Sequence, residues 1–287
     1  MTGGAPSVPR MTSTEYRTEL PTEHLTTGWE AELDPADTVL RRFVLNLAEQ
    51  FASVADATGG RATRTAMLAA VDTGRPANFY NSAVLLQPPL DDRGWSDVLD
   101  SADDAFAGGS GTVFLWSPWP TPDLRGRGWT LTGHPPLLVR PPGGQLPEAA
   151  PLHIRKVDDA AGLDDWARVA VDGYPFPDLQ PYRPGRLFDE RLLADRRWRF
   201  WVAYDDGLPV AIGTLFVAHG VAQLALAATM PQARGRGTWY GLVRERLLAE
   251  PHLLSAAVAS DDSRPGLERL GYLPLLRFTI WHRPRAL

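Results

Sequence analysis

The stretch "MPQARGRGTWYGLVRERLL", Met230–Leu248, places a proline and two closely spaced glycines between a strand-forming run and a helix-forming run. Pro231 ends the preceding apolar segment, and "QARGRG" opens the following helix. The first amides of a helix have no partner within it, and the helix dipole puts partial positive charge there. Because Gly235 and Gly237 carry no Cβ, an anion can approach these amides closely. The stretch therefore predicts a phosphate-binding turn.

The arginines of this stretch fall into two groups. Arg234 and Arg236 lie within the turn, where their side chains can add charge-assisted hydrogen bonds to phosphate groups. Arg244 and Arg246 lie further along the predicted helix, and we expect them on its solvated face.

Two widespread phosphate-binding motifs do not fit the turn. A Walker A loop needs Gly-Lys-Ser/Thr after its second glycine, and the turn contains no lysine. A dinucleotide fingerprint needs the pattern G-x-G-x-x-G, but Tyr240 stands at the third glycine position and Gly241 comes one place late. Neither nucleotide-binding class is therefore expected.

The composition of the chain narrows the classes of protein to which it could belong. The chain has 287 residues, a formal net charge of -5 and no cysteine. Its length favours two domains, and its charge does not favour nucleic acid as a partner. Without cysteine there is no disulfide, thiolate metal site or cysteine nucleophile. With no long apolar run or apolar signal core, we expect a cytoplasmic protein that has no membrane partner and no metal.

Prolines and glycines at 141–151 mark the clearest boundary in the chain. They predict a flexible segment at 1–25, a first domain at 26–140, a linker at 141–150 and a second domain at 151–287. Periodicity in the first domain predicts helices at 37–56 and 94–109 and strands at 79–87, 111–117 and within 128–140. The second domain has the predicted order β-α-α-β-β-β-α-β-α-β, with its second helix at 186–198 and one final strand at 273–283.

The glycine turn and the elements around it resemble a known family. "ATMPQARGRGTWYGLV" is similar to the acyl-CoA-binding motif of the GNAT acetyltransferases, the predicted element order is also theirs, and "LERLGYLPL" resembles their last helix and strand. The resemblance covers about residues 152–283. It implies an α/β (α+β) fold with a mixed, mostly antiparallel central sheet flanked by helices. The smaller N-terminal α/β domain only weakly resembles companion domains of two-part members.

The resemblance also implies an activity and a set of contacts. The backbone amides from Gly235 to Thr238 would hold the CoA pyrophosphate, and the strand end at 227–229 would pair with the pantetheine arm and donate to the acyl carbonyl. The implied reaction moves an acetyl group from acetyl-CoA to a primary amine of a small molecule by direct attack. The residues implied in cofactor binding are Ala227, Ala228, Thr229, Gln232, Arg234, Gly235, Arg236, Gly237, Thr238, Trp239 and Ser260.

Three positions depart from the family's pattern. Trp239 stands where the family favours glycine or alanine, and Ser260 replaces a common asparagine. Leu267 stands where a tyrosine commonly protonates the departing CoA thiolate, and leucine has no proton to donate. Either the thiolate leaves unassisted, or another group protonates it, or the domain is a non-catalytic CoA-binding or regulatory module. A further alternative is a structural or interaction protein that has lost the cofactor. Whether the protein is a monomer or a homodimer also stays open.

Several residues are candidates for proton transfer. Ser263, Tyr272 and Tyr240 are possible donors, although each has a structural alternative: Ser263 as a helix cap, Tyr272 in the core and Tyr240 on its helix. His219, in a predicted turn, and Asp172 are candidate bases, and water is an alternative to both.

The aromatic loop "YPFPDLQPYRPG" lies where the family's acceptor loop falls. Tyr174, Phe176 and Tyr182 suit a partly apolar or cationic amine, or alternatively anchor the loop on the core. "FYN" at 79–81 could face the same cleft from the first domain.

Segments 124–140 and 267–283 are weakly similar, each placing a glycine–aromatic pair before an apolar run that ends in arginine. The alternatives are chance and a duplication, in which the first domain is a degenerate GNAT-like repeat.

Overall fold

The computed structural model describes residues 38–76, 78–148, 153–174 and 176–285. The segment predicted to be flexible, the start of the first predicted domain and the last two linker positions lie outside them. We call 38–140 the first half of the molecule and 153–285 the second half. The elements of the first half are α1 (Val39–Thr58), β1 (Arg61–Arg64), β2 (Leu68–Asp72), β3 (Ser82–Leu85), α2 (Asp92–Phe106), β4 (Thr112–Ser117), β5 (Thr130–Gly133) and β6 (Pro136–Arg140).

The second half contains the three long strands that the sequence predicted between 199 and 230. Its elements are β7 (His153–Val157), α3 (Ala160–Gly173), β8 (Trp198–Asp205), β9 (Leu208–Ala218), β10 (Val221–Thr229), α4 (Thr238–Ala249), β11 (Leu254–Val258), α5 (Arg264–Arg269), β12 (Leu273–Arg277) and β13 (Thr279–Pro284).

The strands form two sheets that exchange one strand each. The larger sheet has the order β12-β6-β11-β10-β9-β8-β7, and the smaller has the order β1-β2-β3-β4-β13-β5. Strand β6 of the first half lies between β11 and β12, while β13 of the second half lies between β4 and β5. Each sheet contains one parallel pair, β10 with β11 and β3 with β4, and its other pairs are antiparallel. Both sheets therefore repeat the same plan, which confirms the predicted α/β fold class with its degenerate repeat.

The two similar segments occupy equivalent places in this plan. Gly128 and Gly271 both have a left-handed backbone, with φ of 78° and 84°. The aromatic residue that follows each of them, Trp129 or Tyr272, is buried. The next strands are β5 and β12, and then the exchanged strands β6 and β13. The weak similarity thus falls on matching structure rather than on unrelated elements. The domain division at 141–150 stays a prediction, although hydrogen-bonded strands connect the two halves across it.

Helix α1 lies between the two sheets and contacts strands β2, β9 and β10. Its apolar side chains are buried along most of its length, and Asn46 Nδ2 donates to the backbone oxygens of Ala218 (2.9 Å) and Val221 (3.0 Å). These bonds fix α1 against the start of β10. They bring Gln50 and Phe51, one turn further on, to the middle of the larger sheet.

The prediction of a helix at 186–198 is wrong. The structure has only a short 3-10 turn at Glu190–Ala194. The Asp189 carboxylate accepts from the Arg191 amide (3.1 Å), and Asp195 accepts from the amide two residues after it (3.0 Å). Such local side-chain bonds compete with the helix ladder, so the apolar spacing does not produce a continuous helix.

The prediction of a single final strand at 273–283 is also wrong. The segment divides into two strands at Phe278, which is fully buried and whose amide donates to Pro135 O (3.0 Å). The chain crosses from one sheet to the other at this residue, so β12 and β13 belong to different sheets.

Candidate functional site

An opening in the larger sheet lies between β10 and β11. The two strands pair only from Val221 to Gln223 and then separate. On its other side β10 carries a bulge, where its register with β9 shifts between Leu224 and Ala227. Beyond Gln223 this edge of β10 pairs with no strand among the described residues, so another extended group can bind there.

A cavity of about 680 Å³ fills this opening, and both halves of the molecule line it. The second half contributes strand and helix residues, among them Leu224, Ala227, Val243, Ala257 and Leu267. The first half contributes the segment 132–135 and the residues Leu47, Gln50, Phe51, Phe79, Tyr80 and Trp116. Of the "FYN" segment, Phe79 and Tyr80 thus reach the cavity. Asn81 does not line it, because its side chain is buried and accepts from the Thr73 amide (2.9 Å).

The glycine turn leads from β10 to the start of α4. Gly237 is the N-cap residue, with φ of 80°, no side-chain cap and no acidic residue in the first turn. Gly235 also has positive φ, and open space lies where a Cβ would project from either glycine. The amides of Gly235, Arg236 and Gly237 have no acceptor among the described residues. Unpaired donors at a helix N-terminus form a ready anion site.

The equivalent turn of the first half is closed to anions. It lies between β3 and α2, and Asp91 caps the helix by accepting from the Gly94 amide (2.8 Å). Asp92 adds a second carboxylate to the first turn. Negative charge there satisfies the helix dipole and repels phosphate. Only the second half of the described chain thus keeps the phosphate-binding geometry.

The arginines of the turn have protein partners. Arg236 Nη1 lies 2.9 Å from Asp205 Oδ2, and both side chains are more than half exposed. Arg234 Nε donates to Thr229 O (3.2 Å). An exposed ion pair is worth little, so a phosphate group can compete with Asp205 for Arg236.

Arg246 is buried, which makes the prediction of a solvated face wrong for this residue. It is 2% exposed and lines the cavity. Its Nε donates to Leu242 O (3.0 Å) and its Nη1 to Thr214 O (3.4 Å). Burial lowers the pKa of Arg246 to about 10, and neighbouring Tyr272 opposes this shift. The spacing from Thr238 to Leu242 and Arg246, four residues each time, places all three on one helix face and was the available signal.

The bulge explains where the Arg246 side chain lies. Ala225 and Leu226 of β10 face the single residue Thr214 of β9, so the ladder is disrupted there. The guanidinium supplies a donor to Thr214 O at this point. It also packs against Gly213, where a Cβ would come within 2.9 Å of Arg246 Nε.

Trp239 connects the start of α4 to α5. Its ring packs against Gly266, where a Cβ would lie only 2.7 Å from the indole. The same side chain lines the cavity. Trp239 therefore takes part in core packing and also shapes the cavity.

The remaining positions implied in cofactor binding surround the opening. Ala227 lines it, Ala228 and Thr229 continue the β9 pairing, and Gln232 is exposed in the turn before the glycines. Thr238 is buried in the first turn of α4. Ser260 lies at the cavity beyond the end of β11.

The candidate proton donors are mostly held in structural contacts. The Tyr272 hydroxyl lies 2.5 Å from Ser255 Oγ, and burial raises the pKa of Tyr272 to about 12. Tyr240 donates to Pro147 O (2.6 Å). Ser263 lines the cavity and accepts from Ser260 Oγ (3.1 Å), but it makes no side-chain cap on α5. Among these candidates only Ser263 reaches the cavity.

The candidate bases lie away from the cavity. His219 occupies the β9–β10 turn with φ of 50°, and its Nε2 lies 2.6 Å from Glu49 Oε2 on α1. Asp172 is exposed near the end of α3, where Gln180 Nε2 donates to its Oδ1 (3.4 Å). Neither lines the cavity.

The three acceptor-loop aromatics separate in the structure. Tyr174 lines the cavity and packs against Phe79, with ring centroids 5.9 Å apart. Phe176 is buried in the core. The Tyr182 hydroxyl bonds to the Asp164 carboxylate, and Arg168 lies over its ring. Sequence reasoning missed Phe51, Trp116 and the hydrogen-bonded pair Gln50–Gln223, which reach the cavity from α1 and from strands of both sheets.

The described ranges contain neither a cluster of metal-binding side chains nor a membrane-spanning helix. No group of three or more His, Cys, Asp or Glu side chains is arranged to hold a metal ion there. No helix there is long and apolar enough to cross a membrane.

Comparison with known proteins finds likeness in structure alone. No family model and no curated protein matches the chain. A GCN5-related N-acetyltransferase from Kribbella flavida superposes with a TM-score of 0.60 at 21% identity, over 85% of this chain and 96% of that one. A functionally unknown conserved protein from Staphylococcus epidermidis gives 0.55 at 13% identity, over 80% and 96%. A putative acetyltransferase of the GNAT family from Novosphingobium aromaticivorans gives 0.52 at 17% identity, over 81% and 97%. At these sequence identities the structural similarity shows the fold alone.

Proposed function

We propose that this chain, which has the GNAT fold over most of its length, is an acyl-CoA-dependent N-acyltransferase. The observation that carries the proposal is the open helix N-terminus at Gly237, next to the free edge of β10 and the cavity. A ligand with a phosphate group at one end and an extended arm fits this arrangement. Acetyl-CoA is the proposed donor, and a primary amine of a small molecule is the proposed acceptor.

Different parts of the opening would bind different parts of acetyl-CoA. The amides from Gly235 to Thr238 would bind the pyrophosphate. The free edge of β10 would pair with the amides of the pantetheine arm, as an added strand does. At the bulge near Ala227 a backbone amide would donate to the acyl carbonyl and stabilise the negative charge that develops on it. The amine nitrogen attacks the carbonyl carbon, the carbon–sulfur bond breaks, and the thiolate leaves.

The acceptor side of the cavity is aromatic. Phe51, Phe79, Tyr80, Trp116 and Tyr174 line it from the first half and the acceptor loop. Such a wall suits an amine with an apolar body, because aromatic faces bind both apolar groups and cations. We propose that the first half supplies part of the acceptor site.

The second candidate is a non-catalytic CoA-binding or regulatory module. Leu267 lies buried at the cavity where the resemblance implies an acid, and the nearby Tyr272 hydroxyl is bonded to Ser255. A module of this kind would bind acetyl-CoA without releasing free CoA in the presence of amines.

Release of thiol from acetyl-CoA distinguishes the two candidates. The chain has no cysteine, so a thiol-specific reagent detects only free CoA. We expect thiol release that depends on both the protein and one member of a panel of aromatic and aliphatic primary amines. Acetyl-CoA binding with no release across the panel would favour the non-catalytic module, and absence of binding would refute both.

A further inference from the structure

Arg246 is a buried cation without a carboxylate partner. Among the described residues its guanidinium forms no ion pair with a carboxylate, and the ionisable group that acts on it is Tyr272. Its two hydrogen bonds go to backbone oxygens, and its Nη2 has no acceptor among those residues. A charge removed from water is costly unless another group compensates it. An anionic group in the adjoining cavity would compensate it.

The position of Arg246 along α4 indicates which part of a bound acyl-CoA it would face. The helix starts at Thr238, and eight residues at 1.5 Å each place Arg246 about 12 Å deeper than the phosphate-binding amides. At that depth it packs against Gly213, which pairs with Ala227 at the bulge. Under the proposed function, this end of the opening receives the thioester.

We propose that the Arg246 guanidinium stabilises the CoA thiolate as it leaves, in place of the proton donor that Leu267 cannot provide. This inference rests on the proposed function. The amine nitrogen forms a bond to the carbonyl carbon, and the carbon–sulfur bond breaks with its electron pair going to sulfur. The guanidinium keeps its proton and pairs with the thiolate. The proton lost by the amine goes to water.

Physical chemistry supports this role for a cation at the cavity. A neighbouring positive charge lowers the pKa of a thiol and favours the thiolate. The effect is larger in a site with little water, because the charges are less screened. Burial lowers the pKa of Arg246 only to about 10, so the side chain stays protonated at neutral pH.

The other ionisable groups facing this part of the cavity do not supply the same charge. Asp261 and Arg277 neutralise each other in an ion pair (2.9 Å). Tyr272 interacts electrostatically with Arg246, and its raised pKa keeps it neutral at neutral pH. The remaining ionisable side chains that line the cavity are His134, Tyr80 and Tyr174. Arg246 is the one buried cation among the described residues that line it.

The test is the pKa of the CoA thiol in the complex. Ultraviolet absorbance of the thiolate is followed against pH for the protein with CoA, and the spectrum with desulfo-CoA is subtracted. No protein thiol interferes, because the chain has no cysteine. We expect the thiol to titrate at least about one pH unit below its ordinary value near 8.5, which means about ten times more thiolate at neutral pH.

Two variants separate charge from structure. Arg246→Lys keeps a cation and should retain most of the shift, whereas Arg246→Met fills similar space without charge and should return the thiol to its ordinary pKa or above. An unshifted thiol in the wild-type complex, or a full shift in Arg246→Met, would overturn the inference. If Arg246→Met does not fold, an unshifted CoA thiol in the wild-type complex still overturns the inference. Failure of CoA to bind the wild-type protein would instead refute the proposed function.

Discussion

The guanidinium of Arg246 occupies space that a side chain on Gly213 would fill. A Cβ at Gly213 would lie 2.9 Å from Arg246 Nε and 3.2 Å from its Cζ, so the two residues are complementary. Gly213 lies opposite the bulge of β10, and Arg246 donates to the neighbouring backbone oxygen of Thr214. The bulge, the glycine and the buried arginine therefore form one structural unit at the floor of the opening.

Gly213→Ala is expected to displace the arginine. The added methyl group cannot be accommodated without movement of a buried side chain, and overpacking of this kind costs about 1–3 kcal/mol. Urea denaturation measures the loss. Gly126→Ala is the matched control, because nothing lies within 4 Å of a Cβ at Gly126. Equal free energies of unfolding for Gly213→Ala and the wild type would contradict the packing described here.

Tyr272→Phe is expected to reduce stability and leave turnover unchanged. The variant loses the hydrogen bond to Ser255, a loss of about 1 kcal/mol. Burial raises the folded pKa of Tyr272 from 10.0 to about 12, so its contribution to stability is present below pH 10 and is lost as pH rises from 10 to 12. The wild type should therefore lose more stability than the variant over that interval. A large fall in kcat at neutral pH would show instead that Tyr272 is the missing acid.

Asp205→Asn is expected to tighten CoA binding. The change frees Arg236 from its ion pair and removes a negative charge near the proposed pyrophosphate site. At low salt we expect an affinity about two- to fivefold higher, and the gain should shrink as salt screens the charges. Calorimetry at two salt concentrations measures it. Asp123→Asn, which breaks the pair with Arg125 in the first half, is the matched control and should leave CoA affinity unchanged.

Cleavage of the connection between the halves should leave them associated. Strands β6 and β13 are each hydrogen-bonded on both sides within the sheet of the other half. A protease site inserted between Gly143 and Gly144, both exposed, permits the cut. The two fragments should elute together from a sizing column in buffer and separate in denaturant. Separation in buffer would mean that the exchanged strands contribute little to the association.

The sequence predicts those parts of the site that depend on local pattern. The glycines at 235 and 237 follow Pro231 in a spacing that defines a turn, and the long strands before it have clear turns between them. The structure has these elements as predicted. The contacts with CoA stay predictions, because they concern a ligand that the chain alone does not define.

Long-range relations could not be predicted in the same way. Strand β6 pairs with β11, which lies more than a hundred residues later in the chain, and no local sequence pattern indicates that pairing. Burial of Arg246 depends on the bulge in β10 and on Gly213, which lie in two other strands. At 186–198 the apolar spacing favoured a helix, but Asp189 bonds to the nearby backbone and ends it. Each difference arises because tertiary or side-chain contacts outweigh local periodicity.

The binding of acetyl-CoA at the glycine turn is the central claim, and calorimetry of Gly237→Glu tests it most directly. The carboxylate would face the pyrophosphate, and because Gly237 has φ of 80° the residue change also strains the backbone. Gly143→Glu, at an exposed glycine that also has φ of 80°, controls for strain and charge. We expect acetyl-CoA to bind the wild type and Gly143→Glu equally and Gly237→Glu not at all. No binding to the wild type at millimolar acetyl-CoA, or unchanged affinity in Gly237→Glu, would contradict the claim.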